Sequence, residues 1–205
     1  MQHGNDFDQK IGSVGKVFPS LKAKIIDKNE EGIGEVVVKG PTVMLGYYQN
    51  EEATKEVLEK GWLYTGDLGF MDKKGFLHLR GRKKSVIVLK NGKNIFPEEI
   101  ESVINRIDGM KESFVYGKPA DKGDENDLKL CAKIVYDKEM MKEIYKITDE
   151  AEIEKLIWTK IKEMNKAMPA YKYIKELTIT TEELIKTTTL KIKRHEEMAK
   201  IEKEE

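Results

Sequence analysis

The 205-residue chain has a single cysteine, only five prolines and no net charge, 37 Lys and Arg balancing 37 Asp and Glu. One thiol rules out an internal disulfide framework. The position of Cys131 in the apolar run Leu130-Cys-Ala-Lys-Ile-Val135 points to core packing in a reducing, cytoplasmic setting. Balanced charge, spread along the chain, gives no electrostatic footprint for nucleic acid. No window approaches 18 consecutive apolar residues, and Met1 to Asp8 has no basic start followed by an apolar stretch, so export and membrane spanning are not expected. The run Lys186 to Lys203 mixes basic and apolar residues as surface-bound helices do. Glu196, Glu197, Glu202, Glu204 and Glu205 dilute its attraction to anionic lipid, leaving a weak peripheral contact as the most that follows. His3, His78 and His195 are too scattered for a ligand cluster, so no metal held by protein ligands is expected. No G-x-x-x-x-G-K-[ST] loop is present to cradle a triphosphate.

With 39% hydrophobic residues, the chain has enough apolar material for a core. Its pattern divides near Gly81. Before that point Leu21 to Ile26, Glu35 to Lys39 and Gly75 to Leu79 read as short strands between turn signals, and Asn50 to Glu59 as a helix capped by Asn50. After it the pattern reads strand (Ser85 to Leu89), turn (Asn91-Gly92), helix (Pro97 to Ile107), strands (Ser113 to Tyr116 and Leu128 to Tyr136), helix (Glu150 to Met168) and strand (Ile174 to Thr178). Pro97 suits the first helical position, and Ile153, Leu156, Ile157, Ile161 and Met164 form one apolar stripe. Met140-Met141 reads as core filler and the C-terminus as a charged tail. The expected fold class is α+β: a β-rich segment 1–80, a hinge 81–84, and a small α+β domain 85–205.

Three blocks carry the functional signal: Trp62-Leu-Tyr-Thr-Gly-Asp-Leu68, Gly81-Arg82-Lys83-Lys84, and Asn91-Gly92-Lys93-Asn94-Ile95-Phe96-Pro97-Glu98-Glu99-Ile100-Glu101. They offer in turn a carboxylate in a Gly-containing turn, a guanidinium with two amines after a strand, and a Gly turn opening into a helix. In this order and spacing they resemble the junction of the two domains in AMP-forming acyl-CoA synthetases, the adenylate-forming enzymes, and are most similar to bacterial long-chain fatty acid CoA ligases. Gly12-Ser-Val-Gly15, Gly40-Pro-Thr-Val-Met-Leu-Gly46-Tyr-Tyr48 and Leu184-Ile-Lys-Thr-Thr-Thr-Leu-Lys191-Ile-Lys-Arg194 extend the likeness over nearly the whole chain. The family's Ser/Thr/Gly-rich phosphate loop and its Tyr-Gly-x-Thr-Glu motif do not occur. The resemblance therefore implies a C-terminal portion: the end of a large domain, which would hold the acid pocket, followed by the whole small domain, inactive alone.

The implied reaction joins a fatty acid to CoA through an acyl-adenylate, with ATP bringing Mg²⁺ and CoA as co-substrate. Lys191 is the implied catalytic cation beside the α-phosphate, where a flexible point charge screens two approaching anions. Asp67 would accept from the ribose hydroxyls, and Arg82 would serve the same ribose and the phosphate side. Lys84 matches the hinge position, and Gly92 the loop lining the pantetheine path during thioester formation. By itself each has a plainer reading: Lys191 and Lys84 as solvated lysines, Asp67 as a turn residue, Arg82 as half of a surface ion pair, and Asn91-Gly92 as a type I′ hairpin turn. Leu190 stands where the family usually has glycine. Two other readings keep the scaffold: an acyl-AMP ligase or peptide-synthetase adenylation domain loading a carrier protein, and a non-catalytic binding module.

Overall fold

In the first of two units, Met1–Lys84, six short strands build one antiparallel sheet: β1 (Gly15–Lys16), β2 (Lys22–Ile26), β3 (Gly34–Lys39), β4 (Leu58–Glu59), β5 (Trp62–Met71) and β6 (Phe76–Arg82). The computed structural model describes residues 10–120 and 127–204. His3, Glu205 and the stretch Met1 to Asp8 lie outside them. The strand order is β1-β6-β5-β3-β2, with β4 also on β5. Ile33, Val36, Val37 and Phe76 are its buried apolar residues. Helix α1 (Glu51–Val57) starts at Asn50, whose side chain accepts from the Ala53 N–H at 3.0 Å, as the cap reading expects. It stops short of Glu59, because Leu58 and Glu59 are drawn into the sheet.

The β5–β6 turn is organised by Asp72. Its carboxylate accepts from the backbone N–H of Lys74 (2.8 Å) and Phe76 (3.0 Å) and meets Lys10 Nζ and His78 Nε2. The Lys10 hydrogen bond leads these contacts in holding the carboxyl well below the usual carboxylate range.

The second unit, Ser85–Glu205, contains β7 (Ile87–Val88), β8 (Asn94–Ile95), α2 (Pro97–Ile104), β9 (Met110–Pro119), β10 (Leu128–Tyr136), α3 (Lys138–Met140), α4 (Glu150–Lys166), β11 (Ile174–Thr180) and α5 (Arg194–Glu204). Strands β7 and β8 form a hairpin. The main sheet runs β11-β10-β9, β10 antiparallel to β9 and parallel to β11. A parallel neighbour requires a crossover, and α4 supplies it. Asp149 caps α4 by accepting from the Glu152 N–H at 3.0 Å.

Strand alternation sends side chains to two faces of this sheet. On one, Val115, Leu130, Ala132, Ile134 and Tyr136 pack with Ile100 and Ile104 of α2 and Ile153, Ile157 and Ile161 of α4. On the other, Phe114, Tyr116, Cys131 and Val135 pack with Leu184, Ile192 and Ile201. Burial pushes the Cys131 thiol up to about 12, which leaves it an inert core group.

The fold is α+β, as expected, with several local differences. Ser85 ends a 3₁₀ turn (Lys83–Ser85), and only Ile87 and Val88 form the strand expected over Ser85 to Leu89. Trp62 to Leu68 is strand rather than turn, because β3 and β6 flank it on both sides. Strand β9 outruns Ser113 to Tyr116, since its charged positions still pair with β10. Met141 is core whereas Met140 is exposed. The charged tail is an ordered helix, α5, whose Ile201 and Glu197 are buried.

Asp72→Asn is expected to lower the stability of the first unit at neutral pH. A depressed carboxyl contributes stability above its unfolded pKa and loses it as pH falls toward the folded value. The gap between wild type and variant should therefore close below about pH 4, read by urea titration over a pH series. A gap independent of pH would contradict the ionic account.

Candidate functional site

Between the register pairs Val37↔Tyr64 and Glu35↔Leu68, β3 contributes one residue, Val36, while β5 contributes three: Thr65, Gly66 and Asp67. This is a bulge, a device that re-aims side chains at the edge of regular pairing. Gly66 takes φ +69, a region costly for a side chain. The loop is pinned by Thr65 Oγ1 donating to Val36 O (2.7 Å), by the Asp67 N–H donating to Thr65 Oγ1 (3.1 Å) and by the Gly66 N–H donating to Glu35 Oε1 (3.1 Å). Asp67 faces Arg82 across the β5–β6 ladder, and Arg82 Nε meets Asp67 Oδ1 at 3.0 Å. Arg82 Nη1 also donates to Thr65 O at 3.1 Å. Side-chain exposures of 32% for Asp67 and 53% for Arg82 leave both reachable by a ligand.

Glu35 is the residue that sequence reading missed here. It is buried, braces the bulge and pairs with Lys83 Nζ at 2.7 Å, which raises the lysine's pKa through that hydrogen bond. An acid opening the apolar run Val36-Val-Val38 was the available signal. Lys84 is exposed and ends the first unit.

In the second unit two hairpins share one turn. At the first, Leu89 N–H donates to Lys93 O (3.0 Å) and Gly92 N–H to Leu89 O (2.8 Å), with Gly92 at φ +76. At the second, Thr187 N–H donates to Lys191 O (2.8 Å) and Leu190 N–H to Thr187 O (2.9 Å), with Leu190 at φ +60. Both are three-residue loops closed by a left-handed residue. Asn91-Gly92 is therefore not a type I′ turn, since neither Lys90 nor Asn91 has positive φ. Leu190 keeps the backbone that glycine adopts easily, at a cost of about 1–2 kcal/mol for a side-chain-bearing residue.

The hairpins lie on opposite faces of the sheet. Ile87, Leu89 and Ile95 of the first pack with the α2 and α4 layer. Leu184 and Ile192, flanking the second, pack on the other face. Lys191 is exposed, and its Nζ has no partner among the described residues. Beside the Gly92 hairpin lies an open cleft of about 360 Å³ lined by Lys90, Asn91, Lys129, Tyr171, Tyr173 and Lys175.

The Lys191 segment is bound to the sheet by one part-buried and one buried ion pair that sequence reading also missed. Arg194 Nη1 meets Glu101 Oε1 (2.9 Å) and Oε2 (3.1 Å), and Arg194 Nη2 donates to Val115 O (2.6 Å). Glu101 Oε1 accepts from the Val115 N–H at 2.7 Å. Burial pushes the Glu101 carboxyl up, while Arg194 and the Val115 N–H pull against it. Lys133 Nζ meets Glu197 Oε1 at 2.9 Å, and Glu197 Oε2 accepts from the Ile185 N–H at 2.9 Å. Among the described residues no group of acids, histidines or cysteines is placed to hold a metal ion, and no helix is long and apolar enough to cross a membrane.

The family profile described as "AMP-binding enzyme C-terminal domain" matches residues 84–204, more than half of the chain. The chain belongs to this family. It is 37% identical to a 2-succinylbenzoate–CoA ligase of Listeria monocytogenes, over 91% of the chain and 34% of that protein. It is 42% identical to a long-chain-fatty-acid–CoA ligase of Escherichia coli, over 56% of the chain and 21% of that protein. Among solved structures it is similar to the O-succinylbenzoate coenzyme A synthetase of Bacillus subtilis in complex with ATP and magnesium ion, with TM-score 0.70 and 29% identity, over 92% of the chain and 36% of the synthetase. The chain thus spans about a third or less of the relatives it matches.

Leu190→Gly should keep the turn and leave the second unit as stable or up to about 1 kcal/mol more stable, by relief of left-handed strain. Leu190→Val should cost about 1–2 kcal/mol, because a β-branched residue fits this region worse. Thermal melts of both variants test this. A glycine variant clearly weaker than the valine variant would refute the strain account.

Proposed function

We propose that the chain is the C-terminal portion of an AMP-forming acid–CoA ligase, which converts a carboxylic acid, ATP and CoA into acyl-CoA, AMP and pyrophosphate. The observation that carries this reading is the pair of like hairpins on opposite faces of one sheet, in a chain of the AMP-binding C-terminal family. A rigid sheet presents one face at a time to a given partner surface, and the chemistry has two steps. In the first, a carboxylate oxygen attacks the α-phosphate and pyrophosphate leaves; Lys191 supplies positive charge where the two anions meet. In the second, the CoA sulfur attacks the acyl carbon and AMP leaves; the Gly92 hairpin lines the path of the thiol arm. A turn about Lys84, the last residue of the first unit, exchanges the faces.

Asp67 and Arg82 suit the nucleotide sugar. Their ion pair is half-exposed, and a carboxylate engaged through one oxygen has capacity for further donors such as ribose hydroxyls. Mg²⁺ arrives with the ATP phosphates, as this ion usually does. The cleft beside Gly92 offers the faces of Tyr171 and Tyr173 and the amines of Lys90 and Lys175, with Asp127 and the Glu176-paired Lys129 also on its wall, a lining that suits the nucleotide end of CoA. For the acid, the likeness to long-chain ligases supports a fatty acid. The longer match to the 2-succinylbenzoate ligase supports 2-succinylbenzoate as a second reading. The acid pocket, the site of action in the cytoplasm and the preceding large domain belong to the same proposal.

In the full-length enzyme, Lys191→Ala should lower ATP-dependent acyl-adenylate formation by about 10²–10³-fold. Thioester formation from supplied acyl-adenylate and CoA should be retained. Assays with a long-chain fatty acid and with 2-succinylbenzoate separate the two substrates. Equal retention of both half-reactions would return Lys191 to the role of a solvated lysine.

A further inference from the structure

The Lys191 hairpin is exposed at its tip and clamped at its base, and the clamp is made of charge. Lys133 comes from β10, the central strand of the sheet, and its side chain is 7% exposed; the Glu197 side chain is 1% exposed. Burying two such groups costs desolvation that their attraction barely returns, and an apolar pair of similar volume often serves stability as well or better. What an apolar pair lacks is an acceptor. Glu197 Oε2 takes the N–H of Ile185, and Ile185 O takes the N–H of Lys193, so both backbone groups of Ile185 are held. Its neighbour Lys186 bridges Ile192, and Thr187 closes the loop on Lys191. A chain of direct contacts therefore runs from the sheet centre through Glu197 to the base of the hairpin.

Arg194 fixes the other side. Three residues beyond Lys191, its guanidinium grips Glu101 and Val115 O while lying 4.8 Å over the Phe114 ring. Lys186 Nζ adds a third tie, to Glu112 of β9 at 3.1 Å. Each tie reaches the sheet from a different residue of the segment, so the hairpin has little freedom to slide or tilt.

We propose that Glu197 and Arg194 are positioning residues for Lys191: the Lys133–Glu197 pair serves to place the hairpin rather than to stabilise the domain, and the Glu101–Arg194 pair places it while also satisfying the backbone of Val115. This rests on the reading that Lys191 acts in adenylation. Fixing a register is the best-attested use of buried polar pairs, and a misplacement of about 1 Å at a reacting group costs about 10²-fold in rate.

The test is amide hydrogen exchange on the 205-residue chain, paired with half-reaction assays on the full-length enzyme. In the double variant Lys133→Met with Glu197→Leu, the thermal midpoint should stay or rise. Exchange over residues 185–193 should quicken about tenfold while β10 and α4 amides stay unchanged. With Lys133→Met retained, Glu197→Gln in place of Glu197→Leu, which keeps an acceptor for Ile185, should restore slow exchange, and Arg194→Lys should loosen the hairpin less than Arg194→Met. In the enzyme, the double variant should lower the adenylation kcat by about 10²-fold with the KM for ATP unchanged, and spare thioester formation. Hairpin exchange that moves only in step with β10 and α4 would overturn the proposal, as would a loosened hairpin with undiminished adenylation in an enzyme where Lys191→Ala abolishes it. If Lys191→Ala leaves adenylation intact, the functional reading itself fails, and the exchange data then report a structural clamp only.

Discussion

The free edge of β9 is the constraint on which the second unit depends. Val115 is fully buried, yet its N–H and C=O are met by Glu101 and Arg194. Leaving either backbone group unbonded in the interior would cost about 1–3 kcal/mol. At Val115 the ion pair stands in for a neighbouring strand. Its two members come from opposite layers. Glu101 belongs to α2, which packs on one face, and Arg194 opens α5, which packs on the other. Satisfying one residue's backbone thus ties both layers to the sheet and sets where the Lys191 segment begins its descent.

The sheet in turn determines what the two hairpins can do. They use the same three-residue turn, with the same pair of backbone hydrogen bonds, and differ in which face supports them. A turn of this kind wants glycine at its left-handed position. Gly92 meets that demand, and Leu190 meets it under strain. Strain held at an exposed loop, braced by buried charge, is what functional sites often carry. The first unit shows a parallel economy: the Thr65–Asp67 bulge would be loose without Glu35, which takes the Gly66 N–H and pairs with Lys83 just beyond β6.

Much of this was legible locally. Asn50 as a helix cap, Pro97 at the start of α2 and the apolar stripe of α4 all follow from residue chemistry within one or two turns of chain. The α+β class followed from the change of periodicity near Gly81, and the family from the order of three motifs. Asp67, Arg82, Lys84, Gly92 and Lys191 are candidates through the family resemblance, and their roles belong to the proposed function. The bracing roles of Glu35, Glu101, Lys133 and Glu197 were missed, because nothing local marks which partners they take in a chain holding 74 charged residues, 37 of each sign. The helix of the C-terminal segment was missed for a related reason. Its composition is that of a solvated tail, and Glu197, Met198 and Ile201, on the side turned to the sheet, show otherwise.

The sequence by itself determined what depends on neighbours along the chain: caps, turn chemistry, strand and helix periods, and the motifs that carry the family. Only the tertiary structure decided which face of the sheet each hairpin occupies, that the Asp67 segment is a bulge, and which charges are buried and paired. The reason is separation. Glu101 and Arg194 lie 93 residues apart, Lys133 and Glu197 64 apart, and Glu35 and Lys83 48 apart. Such partners come together only when the sheets are assembled, and desolvation then turns charges that water would have screened into fixed points of the fold.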